Sequence, residues 1–454
     1  MLGKNNFTQG IQRLTPSQLL LCFYFLAIII STIVLSLPVA YQEGVHVPFI
    51  DVLFTAVSAL SVTGLSTISV GDTLSTTGII LLALILQLGA VGVMSVSTFI
   101  WLLLGKKIGL SERRLIMQDQ NQTTFGGIVD LIKQILLVVL AIEFLGFLIL
   151  GTYFLRYFNT PAEAYLNGLF STISAISNGG FSLTNNSLAP YHDDYFVQFI
   201  IMLLIIFGAI GFPVLIEVKQ FILRRRKMKQ QFRFTLFTKV TTTTFFVLIV
   251  LGAAFIYLID ANQFFKDKSW HESIFYALFQ SVTTRSAGLS TMDVGLLTES
   301  NHLFMSFLMF IGASPSSAGG GIRTTTFALV VIFIITYARG GKKIKVFNRE
   351  IYDKDLMKAV TVTILAIAIV FSTLLIISII EPFSMNELLF EVTSAFGTVG
   401  LSLGITSELT TVSKVLLMIL MFLGRIGLVT FLYSFRKENQ NDYIRYPKER
   451  IIIG

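Results

Sequence analysis

Four short segments of nearly the same sequence decide the fold of this chain. They read LFTAVSALSVTGLS (residues 53–66), LFSTISAISNGGFS (169–182), LFQSVTTRSAGLS (278–290) and LFEVTSAFGTVGLS (389–402). Each begins with Leu-Phe and ends with Gly-Leu-Ser or Gly-Phe-Ser, and the third is one residue shorter than the others. The glycines of these endings are Gly64, Gly180, Gly288 and Gly400, which are 116, 108 and 112 residues apart. So regular a period indicates a repeated structural unit.

Each segment is flanked by two longer apolar stretches. A helix needs about 20 apolar residues to cross the hydrocarbon core of a membrane. Eight stretches reach that length, at residues 18–40, 77–104, 131–153, 196–223, 236–259, 302–337, 359–380 and 412–435. The segments between them are too short to cross, so each is predicted to enter the membrane as a short helix and to turn at its glycine. The predicted unit is therefore span, short helix with loop, span.

The composition also indicates a membrane protein. Of the 454 residues, 54% are hydrophobic and only 13% are charged, and the mean hydropathy is +0.77. Soluble domains have about 25% charged residues. The 41 phenylalanines argue against disorder. A disulfide framework is excluded because Cys22 is the only cysteine, and the four histidines are too scattered for a Cys/His zinc site.

Lysine and arginine predict the orientation. With the N-terminus inside, 27 of the 34 Lys and Arg residues fall in cytoplasmic segments, as the positive-inside rule requires. We therefore expect a multi-pass protein of the cell membrane with both termini cytoplasmic. The predicted units are an N-terminal segment (1–16), repeat 1 (17–105), repeat 2 (130–224), repeat 3 (235–339), repeat 4 (358–436) and a cytoplasmic tail (437–454).

Two basic runs account for much of the net charge of +8. RRRKMK (224–229) and GGKKIK (340–345) are typical of contact with anionic membrane lipid. Docking of an acidic partner is the alternative, and the second run directly follows the sixth apolar stretch. In a membrane chain these runs do not indicate a nucleic acid partner.

The loops of the four segments are predicted to form an ion-selectivity filter. Non-helical backbone is tolerated at membrane depth only inside protein or along a watery path, and glycine allows the backbone to approach closely. Rings of carbonyl oxygens can then replace the hydration shell of a cation. The filter residues are Thr63, Gly64, Gly179, Gly180, Ala287, Gly288, Val399 and Gly400. Helix packing or simple turns could explain one such glycine, but four matching copies favour a filter.

The predicted fold is therefore all-α and integral to the membrane. Four consecutive repeats of helix, short pore helix with filter loop, and helix surround a central cation pore with pseudo-fourfold symmetry. Because the filter loops carry no carboxylate, selectivity is expected from the backbone.

The sixth stretch is interrupted by GASPSSAGGGIR (312–323). Proline and glycine disfavour helix, and unwound backbone at this depth belongs beside a cavity. We expect a gating loop under the filter, with a plain helix kink as the alternative. A phosphate-binding loop is excluded because no Gly-Lys-Ser/Thr follows. The predicted gate residues are Gly312, Ser314, Pro315, Ser316, Gly319, Gly320, Gly321 and Arg425.

Arg425, in LGRIG of the last stretch, is predicted to help close the pore. A buried arginine is costly and usually functional. Its guanidinium could bind carbonyl oxygens of the 312–321 segment and repel cations. Snorkelling towards the cytoplasm is the alternative.

The filter segments and the whole span pattern resemble the Trk/Ktr/HKT superfamily of cation transporters. The length of the chain and its ending ERIIIG are similar to the Ktr-type membrane subunit. The resemblance implies the pore fold above and potassium as the transported ion, since all four filter positions are glycine. The uneven residues before those glycines make some sodium passage plausible.

The resemblance also implies partners. It implies a homodimer, with the C-terminus at the interface, and a separate cytosolic ring of RCK-type regulatory subunits (KtrA- or KtrC-like). ATP or ADP is expected on that ring, and no cofactor is expected on this chain.

Two other functions remain as alternatives to a potassium pore. One is a secondary transporter of another small solute, and the other is a less selective potassium and sodium pore. An intramembrane enzyme is disfavoured, because the spans hold neither HExxH nor a pair of acids. Glu391, in the fourth segment, either tunes the pore potential or makes a structural hydrogen bond.

Overall fold

The structure is a computed structural model that describes residues 15–92, 94–96, 98, 108–119, 127–224, 232–341, 343–435 and 449. The described part is predominantly helical. In chain order, its first helices are α1 (Pro16–Leu35), α2 (Phe49–Ser61), α3 (Val70–Thr73), α4 (Thr76–Val91), α5 (Leu110–Asp119), α6 (Ile128–Phe154), α7 (Pro161–Ser177), α8 (Tyr195–Ala209) and α9 (Phe212–Arg224). They are followed by α10 (Leu236–Asp260), α11 (Trp270–Thr283), α12 (Glu299–Ile311), α13 (Thr324–Ala338), α14 (Asp353–Ile380), α15 (Met385–Gly397), α16 (Thr411–Ile426) and α17 (Leu428–Ser434).

Three 3₁₀ turns and one hairpin complete the described elements. The turns are Pro38–Ala40, Ala189–Tyr191 and Val294–Leu296. Between α13 and α14, β1 (Lys345–Val346) pairs antiparallel with β2 (Arg349–Glu350).

The length and composition of its helices indicate that the chain is a membrane protein. Helices α1, α6, α10 and α14 are each long and apolar enough to cross a membrane. Each is followed by one of the short helices α2, α7, α11 and α15, which carry the four Leu-Phe segments. Large apolar side chains on the long helices face outwards, such as Phe25 at 62% exposure and Ile33 at 60%. Lipid, rather than water, is the environment that suits such faces.

The short helices form the centre of the molecule. The phenylalanine of every Leu-Phe pair is fully buried, at Phe54, Phe170, Phe279 and Phe390. Helices in a membrane are held together by van der Waals packing rather than by transfer from water, so the repeated residue packs each short helix against its flanking helices.

Two stretches that the sequence predicts as single spans are bent helix pairs. Residues 196–223 form α8 and α9, whose axes differ by 104°, and residues 412–435 form α16 and α17, which differ by 96°. The chain turns at Gly211 (φ 102°) and Gly427 (φ 88°). This backbone conformation ends a helix and is readily adopted only by glycine. The prediction of continuous spans is wrong at these two places for that reason.

Other predicted segments reach beyond the described residues. In the second stretch, α4 ends at Val91, and residues 99–107 lie outside the described part. The same holds for residues 1–14, for most of the basic run 224–229, and for the tail 437–454 apart from Glu449.

Candidate functional site

Three of the four short helices end in the same turn. Val62, Asn178 and Thr398 directly follow α2, α7 and α15 and have left-handed backbone, with φ of 59°, 56° and 48°. In α2 the following N–H, that of Thr63, donates to the carbonyl of Ser58 at 2.8 Å. Such a left-handed residue closes a helix and lets the chain reverse. The turn therefore brings Gly64, Gly180 and Gly400 back over the helix ends.

The third segment ends differently. After α11, Thr284 has ordinary helical backbone (φ −63°), and the N–H of Ala287 donates to the carbonyl of Thr283 at 2.9 Å. The third segment therefore lacks the residue with left-handed backbone that follows the short helix in the other three segments. Arg285 occupies the turn, where it is fully buried and donates to the carbonyl of Leu308 at 3.0 Å.

The four predicted filter glycines lie together in a closed ring. A methyl group placed on Gly64 would lie 2.6 Å from Cα of Gly180. One on Gly288 would lie 2.9 Å from Cα of Gly400, and one on Gly400 would lie 3.0 Å from Cα of Gly64. Since all three distances are far below a normal contact, no side chain larger than hydrogen fits inside the ring.

Carbonyl oxygens of the preceding residues lie between these glycines. The methyl group on Gly64 would lie 2.7 Å from the oxygen of Gly179, and one on Gly180 would lie 3.0 Å from that of Ala287. One on Gly288 would overlap the oxygen of Val399, and one on Gly400 would overlap that of Thr63. The eight predicted filter residues are therefore neighbours, with backbone oxygens at the centre.

A cavity of about 690 Å³ opens on one side of the ring. It is lined by the four ring glycines and by hydroxyl and amide side chains of the loops that follow, among them Ser66, Ser182, Asn185 and Ser402. Beside it, hydrogen bonds from Asn185 and Ser69 lower the pKa of Asp72, which is therefore ionised at neutral pH. The mouth is polar and slightly acidic, as suits a hydrated cation.

The chain between α12 and α13 forms a non-helical segment, residues 312–323, which we call the interruption loop. It is tied to the bend between α8 and α9. The N–H of Ser314 donates to the carbonyl of Ala209 at 3.0 Å, and the N–H of Phe212 donates to that of Ser316 at 2.9 Å. The loop contains these predicted gate residues: Gly312, Ser314, Pro315, Ser316, Gly319, Gly320 and Gly321.

The interruption loop also touches the turns that carry the ring glycines. A methyl group on Gly319 would overlap the hydroxyl of Ser286, and one on Gly320 would lie 2.7 Å from the side chain of Thr398. Ser286 and Thr398 each precede a ring glycine by two residues. The loop thus lies directly against the turns that lead to Gly288 and Gly400, and its glycines allow that approach.

Arg425 joins the interruption loop to repeat 1. It is 8% exposed, and its guanidinium donates to the carbonyls of Ser317 and Ala318 in the loop. It also donates to the carbonyls of Gly89 and Ala90 at the end of α4. One side chain therefore holds the loop against the end of another helix through charge-assisted hydrogen bonds.

A second arginine of this site, Arg323, was not among the predicted gate residues. Its guanidinium donates to the carbonyls of Ser314 and Gly319 within the interruption loop, and to that of Arg425 at 3.5 Å. Its backbone has φ 79° and ψ 143°. This region is almost confined to glycine, and other residues pay about 1 to 3 kcal/mol to occupy it.

A repeated motif could have identified this position. The chain reads GAVG (89–92), GAIG (208–211) and GRIG (424–427) where the other repeats break, and GGIR (320–323) at the start of α13. The last glycines, Gly92, Gly211 and Gly427, all have positive φ. Arg323 therefore stands where the other three repeats have glycine, and residues 312–319 are an insertion before the motif.

Glu391 makes hydrogen bonds behind the fourth filter loop. The carboxylate of this buried residue accepts from the hydroxyls of Ser402 and Thr406 and from the N–H of Leu403. These bonds restrain the residues that follow Gly400.

Known proteins share the sequence and the fold. The TrkH family, described as cation transport proteins, matches residues 18–446. The Ktr system potassium uptake protein D of Bacillus subtilis is 57% identical over 449 residues, which cover 99% of both chains. The Ktr system potassium uptake protein B of the same bacterium is 36% identical over 97% of both chains. In structure, the chain is similar to the potassium transporter TrkH of Vibrio parahaemolyticus, with a TM-score of 0.69 and 20% identity over 91% of this chain and 84% of that one.

The family match and the two relatives extend over nearly the entire length of the chain, including all four segments that form the ring. The protein is therefore not an enzyme of the membrane but belongs to the TrkH family of cation transport proteins.

Proposed function

We propose that this protein takes up potassium across the cell membrane through the ring of backbone carbonyls. The observation that carries the proposal is the closed contact of Gly64, Gly180, Gly288 and Gly400 with the carbonyl oxygens between them. Such oxygens replace the hydration shell of a cation without an acidic side chain. Two relatives are named potassium uptake proteins, which supports potassium as the ion.

In this proposal the four repeats surround one pore with pseudo-fourfold symmetry, and the interruption loop is its gate. The loop lies under the filter turns, and Arg425 adds a buried positive charge that opposes the passage of cations. Uptake requires the loop to move, which breaks its hydrogen bonds to Arg425 and to the bend after α8.

Regulation is proposed to come from outside the chain. The relatives belong to Ktr systems by name, which supports a partner component. We propose a homodimer with a cytosolic ring of RCK-type subunits that binds ATP or ADP. The excess of Lys and Arg in the segments between repeats supports cytoplasmic termini and a membrane-surface contact on that side.

Ion flux into proteoliposomes tests the proposal, comparing potassium, rubidium and sodium. Gly64→Ser should weaken the preference for potassium, because its Cβ would lie 2.6 Å from Cα of Gly180. Gly44→Ser is the matched control, since Gly44 also has positive φ but nothing within 4 Å. Flux of none of these ions, even with a regulatory ring added, would refute the pore and favour a transporter of another solute.

A less selective potassium and sodium pore is the second candidate. Four different residues precede the ring glycines: Thr63, Gly179, Ala287 and Val399. Their turns also differ, because the third lacks the left-handed residue. Such a ring is less uniform than one built from four identical chains, so measurable sodium flux is the result that would distinguish this candidate.

A further inference from the structure

Every Leu-Phe segment has a hydroxyl residue at its sixth position. These residues are Ser58, Ser174, Thr283 and Ser394. All four are fully buried, and each side chain makes a hydrogen bond to the backbone of the filter turn above it. A buried hydroxyl that makes a hydrogen bond to a turn, rather than to the backbone of its own helix, restrains that turn.

In repeats 1 and 4 the hydroxyl accepts a hydrogen bond from the ring glycine itself. The N–H of Gly64 donates to Oγ of Ser58 at 3.1 Å. The N–H of Gly400 donates to Oγ of Ser394 at 3.0 Å. Both bonds point away from the ring, towards the short helix.

This bond fixes the direction of a filter carbonyl. In a trans peptide the C=O and the N–H point in opposite directions, and the described chain has no cis peptide bonds. Holding the N–H of Gly64 outwards therefore turns the carbonyl of Thr63 inwards. That oxygen does lie against Gly400, and the oxygen of Val399, turned in the same way by Ser394, lies against Gly288.

In repeats 2 and 3 the hydroxyl makes its hydrogen bond to a peptide further along the loop, beyond the ring glycine. Ser174 donates to the carbonyl of Phe181 at 2.6 Å, and Thr283 donates to that of Leu289 at 2.6 Å. These two bonds hold the carbonyl that follows the ring glycine, and they turn it away from the ring. The four repeats are thus restrained in two different ways.

We propose that Ser58 and Ser394 are positioning residues for ion selection, which orient the carbonyls of Thr63 and Val399 towards the ion through the N–H of the ring glycines. The proposal rests on the potassium uptake function above and extends it. Without the acceptor, the peptide can rotate, and a ring with a loosened oxygen discriminates less well between potassium and the smaller sodium ion.

The test uses the full chain in proteoliposomes and measures the ratio of potassium to sodium uptake. Ser394→Ala and Ser58→Ala should each lower that ratio by about fivefold, as expected for one net hydrogen bond. Ser394→Thr should retain the ratio, because threonine keeps the hydroxyl oxygen that accepts from the N–H of Gly400. The ratio is the informative readout, since a merely structural defect lowers the uptake of both ions together.

Two neighbouring threonines provide matched controls. Thr393 and Thr55 are as buried as the serines, but their hydroxyls donate only to backbone carbonyls of their own helices. Thr393→Val and Thr55→Val should leave the ratio unchanged.

The outcomes separate this proposal from the proposed function. An unchanged ratio in both alanine variants, or an equal fall in the threonine controls, would overturn the positioning role while the potassium preference of the unmodified protein stands. If Ser394→Ala fails to fold, the uptake ratios of Ser58→Ala and Ser394→Thr still test the positioning role. A lack of potassium preference in the unmodified protein would overturn the proposed function instead.

Discussion

At the scale of single residues, backbone contacts rather than side-chain chemistry define this site. Gly64, Gly180, Gly288 and Gly400 leave no room for a Cβ, and the ring is lined by peptide oxygens. The side chains of this site act through hydrogen bonds to backbone groups, as the guanidinium of Arg425 does.

The first prediction concerns Arg425. Arg425→Ala should raise the flux of rubidium by at least about tenfold, because the loop loses charge-assisted hydrogen bonds that contribute about 1.5 to 3 kcal/mol each. Arg425→Lys should give an intermediate flux, since an ammonium keeps the charge but lacks the planar fork. Rubidium uptake normalised to the protein in the membrane is the measurement. An unchanged or lower flux in the alanine variant would contradict the role of Arg425 in closing the pore.

At the scale of elements, the sequence predicted the four short helices but not the bent ones. The Leu-Phe segments repeat the same pattern, and a short apolar segment that ends in glycine has few possible structures at membrane depth. The bends at Gly211 and Gly427 were missed because apolar residues continue on both sides of each glycine, so composition alone resembles one span. Only the comparison of GAVG, GAIG, GRIG and GGIR reveals a common break.

That comparison gives a prediction about the start of α13. Arg323→Gly and Arg323→Ala both remove the guanidinium, but only glycine adopts the positive φ of this position without strain. The glycine variant should therefore be more stable than the alanine variant by about 1 to 3 kcal/mol. Thermal melting in detergent measures the difference.

Ala328, inside the same helix, serves as the control for Arg323. Glycine at a helical position is less stable than alanine by about 1 kcal/mol, so Ala328→Gly should lower the melting temperature. Arg323→Gly melting below Arg323→Ala would show that the backbone at this position carries no strain.

At the scale of the whole molecule, the first and last repeats are joined by an ion pair. Nζ of Lys414, in α16, lies 2.8 Å from Oδ1 of Asp51, in α2, and the side chains are only 9% and 14% exposed. The pair thus joins the helix that precedes Gly64 to the helix that follows Gly400, and these two glycines are themselves neighbours in the ring. Sequence alone could not pair these residues, which are 363 positions apart.

Breaking this pair should loosen the assembly of the repeats. Asp51→Asn leaves Lys414 without its counter-charge, and the cost should lie between the 1 kcal/mol or so of an exposed pair and the roughly 3 to 5 kcal/mol of a fully buried one. The melting temperature should fall accordingly. Lys343 and Glu350 form a pair of the same length, 2.8 Å, at an exposed site, so Glu350→Gln is the matched control and should change melting less. Equal effects would show that the Asp51 pair does not close the ring.

The most direct test of the central claim is to locate the ion. Anomalous scattering from crystals grown in rubidium would mark every bound cation. The account predicts a peak on the axis of the ring, surrounded by the carbonyl oxygens of Thr63, Gly179, Ala287 and Val399. A ring without rubidium, with the ion bound instead to carboxylates such as Asp72 or Asp293 at the mouth, would contradict selection by the backbone.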